Sequence, residues 1–355
     1  MRKLVNSELI IIARESQGIT QSELANMLQI NQANISRIEG GITQPSEEIV
    51  ASIAKALRYP ISLFFENGGT YNPQVHFRKA KSLAAKDLSK ITANTIIDRL
   101  RIQKLLNSIE FETNYVRYDL EEYENPESVA ITLRQEWQIS KGPIKNVVLL
   151  LESKGIIVFP VDFGTRFISD LTTKTENGIF VIFLNSTMPP DRKRFTLCHA
   201  LGHIIMHGAG MSENVELEAD RFAAEFLMPS ADIKHQLIDV GISDLADLKR
   251  YWKTSMASIL MKADHLGAIT PSRKQYLWKR ISGLGYRLNE PVESSILNEE
   301  PTLIKEAIRL HKEELKFTED ELKDLLFLRE NDLLKYGLNT PPKLKLYIHN
   351  NLSNN

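Results

Sequence analysis

Two stretches set the fold expected for the middle of this chain: Arg194-Phe-Thr-Leu-Cys-His-Ala-Leu-Gly-His-Ile-Ile-Met-His207, and then Glu216-Leu-Glu-Ala-Asp-Arg-Phe-Ala-Ala-Glu-Phe-Leu-Met-Pro229. His199 and His203 are four residues apart, so a helix over 192–206 puts both imidazoles on one face, as two zinc ligands require. Ile204 and Ile205 fit a buried helix. A second helix over 213–228, ended by Pro229, turns Phe222, Phe226 and Leu227 inward. Its first turns offer Glu216 as a third, oxygen ligand, with Glu218 as the alternative. Two histidines, one glutamate and a position left for water make a catalytic zinc sphere rather than a closed structural one. His207, one turn beyond His203, reads as a supporting or packing residue, and Cys198 as a buried apolar cysteine.

The catalytic version of this pattern is His-Glu-x-x-His, whose Glu is the general base that takes a proton from the attacking water. Here Ala200 stands at that position. A methyl group takes no proton, and loss of such a base costs on the order of 10²–10⁴-fold in rate. The expectation is a metal site that persists while catalysis fails. Retention of His199, His203, Glu216 and Asp220 beside the missing base favours deliberate inactivation over drift.

Composition frames these motifs. The 355 residues carry 44 Lys+Arg against 45 Asp+Glu, a formal net charge of −1, which excludes a polybasic chain held on nucleic acid by charge alone. Apolar residues make up 43 %, enough for globular cores, and the length suggests two or three domains. A single cysteine excludes an intrachain disulfide and every multi-cysteine zinc site. No run reaches a membrane span of roughly 18 apolar residues, and the first residues do not form a signal peptide. A cytoplasmic protein without membrane contact is expected.

Residues 7–66 read as short helices. Leu9, Ile12 and Ala13 form a first apolar stripe, Thr20-Gln-Ser-Glu23 is a capping box, and Asn31 caps a helix through Ile38 that Gly40-Gly41 stops. Small Ala25 permits close helix packing, and Ile35 and Ile38 anchor the second helix. Gln32, Asn34 and Arg37 are then left on its outer face, the residue types that pair with adenine, guanine or phosphate in a major groove. Gln21, at the head of the preceding helix, joins them as a DNA-contact candidate. This stretch resembles the XRE/λ-repressor-like DNA-binding family through Thr20-Gln-Ser-Glu-Leu-Ala, Ile35-Ser-Arg-Ile-Glu-Gly and Pro45. The first 70 residues are slightly acidic, whereas 78–104 carry eight basic side chains against Asp87 and Asp98. That basic stretch, read as helical over 75–111, either adds sequence-independent DNA affinity or acts as a connector.

The central residues, together with His76-Phe-Arg-Lys before them and Lys249-Arg-Tyr-Trp-Lys-Thr-Ser-Met after them, resemble the ImmA/IrrE family of zinc metallopeptidases over roughly 75–290. The resemblance implies a zincin-like, gluzincin-type fold, a Zn²⁺ ion on His199, His203 and Glu216, and proteolysis of a repressor-like regulator or of the chain itself. The glutamate–aspartate spacing of related zincins favours Glu216 over Glu218 and makes Asp220 the residue that orients a ligand histidine. On this reading Glu218→Ala leaves zinc binding nearly intact.

The expected architecture is multidomain, mainly α with a small mixed α/β part. Its parts are a λ-repressor-like domain (1–67), a basic helical connector (68–125), a metallopeptidase domain (126–235), a helical module (236–291) and a C-terminal helical segment (292–355). The module contains 249–265, which reads either as a second helix-turn-helix or as packing helices. Gly155-Ile-Ile-Val-Phe and Gly178-Ile-Phe-Val-Ile-Phe-Leu read as strands, the second as an edge able to hold a peptide around Phe180–Leu184. The segment after Pro291, with Leu303, Ile304, Ile308 and Leu310, reads as an amphipathic lid for the cleft. Expected partners are a double-stranded operator, a protein or peptide substrate, and a second copy in a homodimer, because one such helix reads too few base pairs. A non-enzymatic repressor with a sensory zinc or peptide pocket is the alternative.

Overall fold

Thr20 starts a helix because its hydroxyl accepts the Glu23 amide at 3.2 Å while the Glu23 carboxylate accepts the Thr20 amide at 2.7 Å. This is the beginning of α2 (Gln21–Leu28), which follows α1 (Ser7–Ser16) and ends at Gln29 in the left-handed region, φ 55°. The Asn31 side chain accepts the Ala33 amide at 2.9 Å and opens α3 (Gln32–Glu39), and Ser46 caps α4 (Glu47–Leu57). Leu9, Ala13, Leu24, Ala25, Ile35, Ile38, Ile53 and Leu57 are buried among these helices. The computed structural model describes residues 4–66, 76–79, 83–120, 122–207, 214–287, 290–291 and 296–338, so the expected break at Gly68, Gly69 and Pro73 lies outside the described residues.

The chain divides into two units, one made of Met1–Arg14, Ile19–Asn67 and Lys305–Asn355, the other of Glu15–Gly18 and Gly68–Ile304. The second unit is built from β1 (His76–Lys79), α5 (Ala85–Leu106), α6 (Pro126–Glu136), α7 (Val147–Ser153), β2 (Ile157–Val161), β3 (Ile168–Lys174), β4 (Phe180–Asn185), α8 (Pro190–Met206), α9 (Val215–Leu227), α10 (Ser230–Ile233), α11 (Ile242–Trp252), α12 (Met256–His265) and α13 (Pro271–Gly283). Its sheet has the order β1-β3-β4-β2, with β2 parallel to β4 and the other pairs antiparallel. Helix α8 lies against β3 and β4, and α9 packs between α8 and α6. One core joins Val129, Leu133, Leu151, Ile182, Leu201, Phe222 and Phe226 to Trp252, Met256, Ile259, Leu277 and Ile281, so α11–α13 share the interior of the residues that precede them.

Two expectations are corrected, for residues 75–111 and for the edge strand. Residues 75–111 are not one helical stretch: 76–79 pair as a strand with β3, and the helix begins at Ala85. Arg99 and Arg101, two of the eight basic residues of that stretch, are buried; Arg101 pairs with Asp98 at 3.0 Å, and Arg99 donates to the Lys174 carbonyl at 3.2 Å. Residues 180–184 do not form a sheet edge, because β4 lies between β3 and β2 with all six residues buried. An unbroken apolar run marks a strand covered on both faces.

The helix expected after Pro291 exists as α14 (Leu303–Glu313), followed by α15 (Glu319–Leu325), but the chain from Lys305 onward groups with α1–α4. Within that unit the Ser62 hydroxyl donates to Asp324 at 3.0 Å, and the Arg329 guanidinium lies 4.8 Å from the centre of the Tyr59 ring. The residues just before α14 are tied to α7: Glu299 accepts the Val147 and Val148 amides at 2.7 and 3.1 Å, and Glu152 accepts the Thr302 amide at 2.9 Å. These ties fix residues 299–302 against α7.

Candidate metal centre and nucleic-acid interface

Helix α8 carries His199 and His203 four residues apart, His207 follows as its C-terminal cap in extended backbone, and all three are buried. Helix α9 comes close enough to meet them because Gly202 faces it. A Cβ at 202 would stand 3.1 Å from the Phe222 ring and 3.2 Å from the Ala219 Cα, so a bare backbone on α8 and a methyl group on α9 set the spacing. Arg117 secures the end of α8 by donating to the carbonyls of Ile204 and His207 at 3.3 and 2.7 Å.

Across this contact, Nε2 of His199 and Nε2 of His203 face each other at 3.0 Å. The two carboxylate oxygens of Glu216 lie 3.4 Å away, Oε2 from His199 Nε2 and Oε1 from His203 Nε2. The three residues offer donor atoms that all lie within 4.8 Å of one another. A tetrahedral ion with bonds of about 2.0–2.1 Å places its ligand atoms roughly 3.3–3.4 Å apart, and the triangle of residues has gaps near that, 3.0 Å between the two histidine nitrogens and 3.4 Å from each nitrogen to a different Glu216 oxygen. Two imidazole nitrogens and a carboxylate suit zinc. Glu216 is 56 % exposed in its side chain while both histidines are buried, which leaves the carboxylate side of the triangle open to solvent.

The ring atoms on the far side of the histidines are also engaged. Asp220 Oδ1 lies 2.8 Å from His199 Nδ1, His207 Nδ1 lies 2.9 Å from His203 Nδ1, and Glu218 Oε2 lies 3.0 Å from His207 Nε2. Glu218 therefore sits against His207 and not among the three converging donors. Ala200 follows His199 on α8 and is 1 % exposed. Cys198 is fully buried, and burial pushes its thiol up to about 12, so it stays a neutral thiol. Arg221 of α9 makes a two-bond contact with Glu127 of α6 at 2.8 and 2.7 Å.

In the first unit, Asn34 and Arg37 are exposed on α3 while Ile35 and Ile38 are buried. Gln32 is exposed as well, and its amide donates to the Gln21 oxygen at 2.8 Å; Gln21 in turn donates to Glu39 at 2.7 Å. Glu39 is held by Arg14 through bonds of 2.6 and 3.0 Å, both side chains being buried. The structure thus brings Gln21 and Gln32 together through a network that starts in the core. Sequence reasoning missed Arg14 and Glu39, although a lone Arg late in α1 and a Glu closing α3 are the signal such a pair leaves.

Residues 10–64 match the family model described as helix-turn-helix, and residues 151–264 match the peptidase family M78 model, described as the IrrE N-terminal-like domain. None of the curated proteins compared with the chain matches it. The second match runs past Pro229 into α12, in keeping with the core shared by those helices. No helix among the described residues is long and apolar enough to cross a membrane. With α2 and α3 packed as they are and a two-histidine, one-glutamate cluster on α8 and α9, this chain is a multidomain protein carrying an XRE-type helix-turn-helix DNA-binding domain and an ImmA/IrrE-type metallopeptidase domain.

Proposed function

We propose that the protein is a transcriptional regulator that binds an operator as a homodimer and uses its zinc-dependent endopeptidase domain on a regulatory protein, or on itself, in a stress or defence response. The observation that carries this reading is the convergence of His199, His203 and Glu216 behind the open side of the cluster. These three residues would hold zinc, which when bound polarises a scissile carbonyl and activates water. Asp220 holds the His199 ring in place from Nδ1. A cytoplasmic location is part of this proposal, in keeping with a partner that is an operator on DNA.

Ala200 supports a second reading for the chain as it stands. No side chain at 200 takes or returns a proton, so the cluster binds a metal and a peptide without cutting, as a sensory pocket would. The experiment is to express Ala200→Glu beside the parent and search both for new termini by mass spectrometry. New termini only with Glu at 200 support the peptidase reading; an intact chain and intact partners in both, with zinc bound, leave the sensory reading.

A further inference from the structure

His207 lies outside the converging donors, yet it is 6 % exposed and both of its ring nitrogens face polar atoms. Glu218 is a carboxylate and brings only lone pairs, so the proton between Glu218 and His207 is carried on His207 Nε2. A neutral imidazole with its proton on Nε2 keeps a lone pair on Nδ1. That lone pair faces His203 Nδ1 at 2.9 Å, and the proton between the two rings then belongs to His203. His203 with its proton on Nδ1 turns a lone pair from Nε2 toward His199 Nε2 and Glu216.

We infer that Glu218 and His207 are positioning residues which set the tautomer of His203 for metal binding. Asp220 does the same for His199 in one step, through the 2.8 Å contact with its Nδ1. The two ligand histidines are thus prepared by two carboxylates of α9, one acting directly and the other through a third imidazole. Glu218, which the sequence offers as a rival ligand, has a separate task, and its loss is expected to weaken zinc binding rather than leave it nearly intact. The inference rests on the zinc reading proposed above.

The test uses the full chain with zinc as probe. Competition with a chromophoric chelator is expected to show a dissociation constant raised about 10–100-fold in Glu218→Leu, and restored to within a few-fold in Glu218→Gln, whose amide oxygen still accepts from His207 Nε2. Long-range ¹H–¹⁵N spectra of the histidine rings in the parent are expected to show His207 protonated on Nε2 alone and His203 on Nδ1. Equal affinities in parent and Glu218→Leu, or a His207 protonated on Nδ1, would overturn the relay. Should Glu218→Leu not fold, the parent spectrum decides by itself. A parent that binds no zinc while showing the expected His207 tautomer defeats the zinc reading and not the relay geometry.

Discussion

Asp220 Oδ1 lies 2.8 Å from Nδ1 of His199, which makes Nε2 the ring atom that faces Glu216. Removing that carboxylate frees the ring to take the other tautomer or to rotate. Asp220→Ala is expected to weaken zinc binding about 10–100-fold with little change in the fold, because the side chain is 39 % exposed. Chelator competition measures the affinity, and circular dichroism checks the helices.

Zinc added to metal-free protein is expected to raise the melting temperature, since a ligand that binds only the native state stabilises it by about 2.7 kcal/mol at a hundred times its dissociation constant. The gain should vanish in His203→Ala and in Glu216→Ala, and a chelator should reverse it in the parent. A zinc-induced shift that survives His203→Ala would place the metal elsewhere.

On DNA, Arg37→Ala and Gln32→Ala are expected to cost more on a selected operator than on random duplex, with each good base contact worth about 1–3 kcal/mol of discrimination. Gln21→Ala should resemble Gln32→Ala, because Gln21 accepts the Gln32 amide and is itself fixed by Glu39. Fluorescence anisotropy on both duplexes reads the difference; equal losses would mean contact with phosphate only.

Burial holds the Cys198 thiol up at about 12, against 9.0 for an exposed one. The thiolate is the reactive form, so the native protein at pH 8 is expected to resist iodoacetamide while the unfolded chain reacts within minutes. Mass spectrometry counts the label. Rapid labelling of the native protein would show that the back of α8 opens to solvent.

Ending the chain at Ile304 removes Asp324 and Arg329, the partners of Ser62 and Tyr59. The truncated protein is expected to melt earlier and to bind operator more weakly, with zinc stoichiometry unchanged. A gain of proteolysis in the same truncation carrying Ala200→Glu would support the lid expected from the sequence.

Local signals in the sequence were enough for the helices that carry the site. The capping box at Thr20, the cap at Asn31 and the four-residue spacing of His199 and His203 are each decided within a turn or two of chain, and the structure forms them there. What depends on distant partners was hidden. Strand β3 reads Ile-Ser-Asp-Leu-Thr-Thr-Lys, with no clean alternation, and owes its conformation to β4 and β1 on either side. The burial of Arg99 and Arg101 is not legible either, because a sequence does not show which basic side chains find a carbonyl or a carboxylate inside. The difference between Glu216 and Glu218 follows from how α9 lies across α8, a matter of the space left by Gly202.

The first unit draws on both sides of the second, from residues up to 67 and again from Lys305 onward, with nearly all of the second unit between them in the chain. On the ribosome, Tyr59 and Ser62 emerge long before Arg329 and Asp324 exist, so this unit reaches these contacts only after the chain of the second unit has been made. Pairings so distant along the chain are slow to close. In this order of assembly the helix-turn-helix unit is finished only after the residues around His199 have had time to fold.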